Sequence, residues 1–149
     1  LENVKVIDDQ EGIVEAFVNS MGQPDSDGDI IVPSAFDSSI EQNMPVTVLL
    51  GHDPSKVVGK VLEAHAINFG DSAKLYNKIQ FNLDTQLGRE TFSNAATDEQ
   101  PIIISDAAWS PVTDEQRAQV RDAVEFRSRL LGLRLQQKQY ESEKGNNNE

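Results

Sequence analysis

Along the first hundred residues the apolar positions fall into short runs that turn signals separate. "NVKVID" is a brief β-branched run, and "GIVEAFVNS" alternates Ile13, Glu15 and Phe17 against Val14, Ala16 and Val18. "DIIVP", "VTVLL" and "KVVGKV" follow, each fenced by Gly, Pro or Asp. "AHAINF" and "KLYNKIQFNL" come later, the second carrying Leu75, Lys78 and Phe81 among polar neighbours, with an "FGDSAK" turn between them. Short strands at this spacing predict a barrel or sandwich. Two brief helices interrupt them, at "PSAFDSSIEQN", with Ser34 as its N-cap, and at "TQLGRETFSNAA". The predicted class is α+β, built on a small, mainly antiparallel β-barrel with flanking helices.

The end of the chain has a different period. Thr113 and Gln116 have capping-box spacing, preceded by Pro111. Val120, Val124, Leu131 and Leu135 then follow one helical stripe, which Phe126, Leu130 and Leu133 broaden. The pattern predicts a long C-terminal helix of about 25–30 residues, either packed against the barrel or standing out as an arm. Three parts are expected: a β domain over residues 1–112, the helix or arm over 113–144, and a polar disordered tail over 145–149.

Composition narrows the chemistry. The 149 residues hold 25 Asp and Glu against 13 Lys and Arg, a formal charge of −12. Such a chain repels phosphate backbones and anionic membrane surfaces, so proteins are its expected partners. With no cysteine, disulfides, thiolate catalysis and Cys-based zinc sites drop out, which fits a reducing compartment. No apolar stretch nears the roughly 20 residues of a membrane span, and no signal peptide is visible at the amino terminus. Beginning at Leu1 rather than Met points to a processed or trimmed chain.

Three motifs carry candidate chemistry. "PDSDGDIIV" invites a calcium loop, but from Asp25 the glycine falls fourth and Phe36 twelfth, where an EF-hand needs Gly sixth and Glu twelfth. It reads instead as an Asp- and Gly-rich turn feeding a strand over 29–32. His65 sits mid-strand among apolar neighbours and reads as structural. With two histidines and no HExxH spacing, no metal or cofactor is expected. His52 differs, because it ends the apolar run "PVTVLLG" and the Asp53–Pro54 turn follows at once. A strand end aims a side chain at a rim, and an imidazole there is suited to take a proton from a serine hydroxyl. By itself the position also suits a structural histidine.

The order of several segments resembles the prohead (capsid-maturation) proteases of tailed bacteriophages. The matching elements are Asp27, Gly28–Asp29, Ser34-Ala35-Phe36, Leu49-Leu50-Gly51-His52-Asp53 and Gly59-Lys60-Val61. Gly88-Arg89-Glu90 then opens a helix, and the likeness spans about residues 10–95. The resemblance implies a small β-barrel similar to herpesvirus assemblins, and serine endoproteolysis with His52 as general base. It implies scaffold and capsid protein as substrates, self-processing, and work inside the immature capsid in the host bacterial cytoplasm. The acidic charge suits that enclosure before DNA enters. Assemblin-like enzymes also point to a homodimer.

The family's serine segment departs here, and two alignments stand. In one, Ser105 of "PIIISDAAW" is the nucleophile, 53 positions after His52, with Asp106-Ala107 in place of the usual small residue and glycine. In the other, "DAAWSPVT" matches a later family strand, and the nucleophile strand is missing near residues 94–101. The family's acidic third position falls around Ala108, with Asp106 the nearest carboxylate. Ser105 is the best nucleophile present. The alternative is a catalytically degenerate member acting as an internal scaffold or assembly protein.

Overall fold

A computed structural model describes residues 5–70, 72–96 and 112–146. The chain divides into two compact units, Leu1–Thr113 and Asp114–Glu149. In the first, β1 (Lys5–Asp8), β2 (Ile13–Met21), β3 (Val46–Leu49), β4 (Val57–Asn68) and β5 (Ala73–Phe81) form one antiparallel sheet in the order β1-β2-β5-β4-β3. Helix α1 (Asp37–Asn43) precedes β3, and α2 (Gln86–Ala96) follows β5.

The expected barrel is corrected to an open sheet among the described residues. Closure needs the two edges to pair, and here β1 and β3 lie at opposite ends with three strands between them. Both edges are only four residues long. The strand expected over 29–32 is also absent, reduced to an isolated bridge between Pro24 and Ile30. Asp25 Oδ1 accepts the amides of Asp27 and Asp29, each at 2.9 Å, which holds the segment in a turn. Pro33 has no N–H with which to continue a ladder.

β4 fuses the two runs "KVVGKV" and "AHAINF" into one strand of 12 residues, with a register shift between Val61 and Glu63. The bulge flips the side-chain parity. Gly59 and Val61 therefore share a face with Ala64 and Ala66, not with Glu63 and His65. β2 has a similar shift between Phe17 and Asn19.

Two buried clusters lie on that face. Val14, Ala16, Val48, Val58, Ile79 and Phe81 meet Phe92 and Ala95 of α2, with the Phe81 and Phe92 rings 5.9 Å apart. Met21, Ala73 and Leu75 form the second cluster under Phe36 and Ile40 of the α1 region. The start of α2 is capped by Thr85, whose hydroxyl accepts the Gly88 amide at 3.0 Å. Ser34 is not the cap of α1. The N-cap position is Phe36, with no side-chain cap bond, and Ser34 instead accepts the Asp37 amide through its carbonyl.

The opposite face carries the alternate residues. Tyr76 donates to the buried Glu15 carboxylate at 2.9 Å, and Lys74 Nζ lies 5.3 Å from the centre of the Phe17 ring. The second unit is α3, Asp114–Asn146, 33 residues long. It exceeds the predicted length and continues two positions into the expected tail, whose remainder lies outside the described residues.

Candidate active site

The site begins where β3 ends. After Leu49 the chain makes a 3₁₀ turn, Leu50–His52, closed by three main-chain bonds. Leu50 N–H donates to Lys56 C=O at 2.9 Å, Asp53 N–H to Leu50 C=O at 3.2 Å, and Lys56 N–H to Asp53 C=O at 2.9 Å. Two consecutive residues sit in the left-handed region, Gly51 at φ 62° and His52 at φ 58°. Glycine takes this conformation freely, whereas His52 occupies a well that L-residues visit uncommonly. His52 thus lies one turn beyond the strand end at which the sequence placed it, and it is exposed.

Asp53 locks the exit from the turn. Its Oδ1 accepts the Ser55 amide at 2.9 Å and the Ser55 hydroxyl at 2.7 Å. Both bonds favour the charged carboxylate, so the Asp53 pKa lies below the ordinary aspartate value, with Lys56 adding attraction.

His52 borders a groove of about 310 Å³ on the cluster-bearing face, lined also by Val18, Asn19, Phe36, Val48, Leu49, Val61, Leu75, Asn77 and Ile79. Strand register explains its place. Asn77 pairs with Ala16 on one side and Ala64 on the other, and two alanines leave a hollow where larger side chains would fill the sheet. Val18 packs against both clusters, so the groove lies between them. Thr47 of β3, which pairs with Lys60 of β4, also borders it. The groove is an apolar slot with two amide side chains, Asn19 and Asn77, and an imidazole at its rim. A larger cleft of about 560 Å³, bordered by Gln10, Glu11, Lys60 and Asp84, contains neither histidine.

Asn77 was missed in the sequence, although its signal was present. It alternates with Leu75, Ile79 and Phe81 as the one polar residue on their face, and it is buried. Phe36, flagged by the family likeness, does reach the groove. His65 faces the opposite side, its ring 6.2 Å from that of Tyr76 and its Nε2 3.5 Å from Glu63 Oε2. It shares no groove with His52. Ser105, Asp106, Ala108 and the gap expected at residues 94–101 fall wholly or mostly on residues 97–111, outside the described residues. Among the described groove residues none is a serine.

A family model described as caudovirus prohead serine protease matches residues 2–99. The chain belongs to the caudovirus prohead serine proteases. The matched residues contain the whole five-stranded sheet, α1, α2 and His52, while Ser105 and α3 lie beyond them. Comparison with curated proteins and with solved structures found no match. Membership makes this a hydrolase family of bacteriophage capsid maturation, with serine protease chemistry. Among the described residues no helix is long and apolar enough to cross a membrane.

Proposed function

We propose that this chain is a serine endopeptidase that cuts scaffold and capsid protein, and itself, inside the immature capsid in the host cytoplasm. His52 is its general base and Ser105 its nucleophile. The observation that carries the reading is the presentation of His52: an exposed imidazole on a strained turn, at the mouth of an apolar groove, in a chain of the prohead protease family. Ser105 Oγ attacks the scissile carbonyl as His52 takes its proton. The same imidazole then protonates the leaving amine, and water repeats the cycle on the acyl-enzyme. Among the described residues β3 is an edge strand, so an extended substrate can pair along it and lower an apolar side chain between Asn19 and Asn77. In this reading residues 1–112 are the protease domain and α3 an appended arm.

The departure of Asp106-Ala107 from the family motif favours a second reading, a degenerate member serving in assembly. Incubation with scaffold-derived peptide tests both. His52→Ala abolishes cleavage while the chain stays folded; undiminished cleavage overturns the role of His52. A serine-directed phosphonate labels Ser105 in an active preparation, and an adduct elsewhere removes Ser105 alone. A folded wild-type chain that cleaves nothing leaves the assembly role.

A further inference from the structure

We propose that α3 is a self-association element that pairs two copies of this chain through antiparallel helices. The inference does not rest on the protease reading. Phe126, Leu130, Leu133 and Tyr140 are exposed at 63%, 38%, 61% and 64%. Their separations of four, three and seven residues are those of a coiled-coil seam, with Gln137 filling the intermediate position. Leu131 and Leu135 lie outside this seam.

The flanking charges choose the partner and its direction. Beside the seam, the first half of this stretch presents Arg127, Arg129 and Arg134, and the second half presents Glu141 and Glu143. No acidic residue stands between Phe126 and Tyr140. Parallel pairing would match Asp122 with Arg127 of the second copy, but it would set Arg129 against Arg134 and leave Glu141 opposite Gln136, so attraction and repulsion cancel. Antiparallel pairing sets Arg127 against Glu141 and Arg129 against Glu143, and twofold symmetry repeats both contacts; these four attractions outweigh the single Arg134–Arg134 contact across the axis. In that register Leu130 meets Tyr140 of the second copy, and Leu133 meets Gln137. Sliding by one heptad would bring Leu130 onto Leu133, a more aliphatic layer. It would also oppose Arg127 with Arg134 and Asp122 with Glu143, so the charges select the first register. Gln137, whose amide donates to Glu141 at 3.2 Å along the same helix, is the polar position of the seam and faces Leu133 in this register.

Sedimentation velocity on the full chain is expected to show a concentration-dependent dimer. Reversing Glu141→Arg with Glu143→Arg weakens it about tenfold or more, because four attractions become repulsions. Adding Arg127→Glu and Arg129→Glu to the same chain restores it. Because the protein has no cysteine, single thiols report direction. Gln136→Cys lies across the twofold from its own copy and cross-links under mild oxidation, whereas Ser142→Cys on the outer face does not. A monomer at every concentration, a charge reversal without effect, or cross-linking by Tyr140→Cys instead of Gln136→Cys overturns the proposal. The first of these outcomes would leave the arm to a different, acidic protein.

Discussion

The left-handed backbone at His52 makes a quantitative prediction about stability, separate from activity. At φ 58° an L-residue costs about 1–2 kcal/mol relative to the right-handed well, and histidine is among the side chains that tolerate the region best. Glycine removes that cost but loses about 0.5–1 kcal/mol through its freer unfolded chain. Alanine keeps the Cβ and relieves nothing. His52 is exposed, so losing the ring forfeits little packing. His52→Gly should therefore be as stable as the parent, or more stable, and should exceed His52→Ala by about 0.5–1 kcal/mol. For a chain of this size that is a difference of about 1–4 °C in melting temperature. Gly51→Ala supplies the control. A Cβ at Gly51 would meet nothing within 4 Å, so its expected loss of about 1 kcal/mol is conformational alone. Urea and thermal unfolding of the three variants measure the order, with peptide cleavage followed in parallel. If alanine equals or exceeds glycine at position 52, the turn is not left-handed in solution and the account of how His52 is presented fails.

Two further changes probe the frame around the groove. A Cβ added by Gly59→Ala runs into the Gln80 carbonyl oxygen of β5, with Phe81 Cα at 3.0 Å, so β4 and β5 must part. The expected loss is about 1–3 kcal/mol, read as a lower urea midpoint, and an unchanged midpoint would contradict the close pairing. Ser55→Ala removes one of the two bonds that hold the Asp53 pKa down, so that pKa rises toward the ordinary value in a carboxyl NMR titration. Because the folded value is the lower one, the turn's stabilisation is present at neutral pH and fades only as pH falls through the acidic range below about 4. Identical titration curves for the two chains would remove Ser55 as the cause.

Several parts of the molecule were legible in local pattern. The alternation in "GIVEAFVNS" and the run "KLYNKIQFNL" both became strands, and the β4–β5 hairpin formed at the expected turn, where Phe69 N–H donates to Ser72 C=O at 2.8 Å. The long helix followed from its apolar stripe and polar start. Alternation could not show the register shifts after Phe17 and Val61, because a bulge adds a residue without altering composition. Those shifts set Asn19 and the two alanines beside Asn77, so the groove stayed hidden although Asn77 already broke an apolar row.

Family, charge balance and the existence of the main strands could be read along the chain, since each depends on neighbours a few positions apart. The sheet left open among the described residues, the placing of β2 against β5 some sixty residues later, and the parting of His52 from His65 belong to the folded molecule. Strand partners are selected by the summed packing of both faces and by the cost of closing long loops. No short window contains those sums, so the same alternating strands could have closed into a barrel or stopped, as they do here, at two short edges.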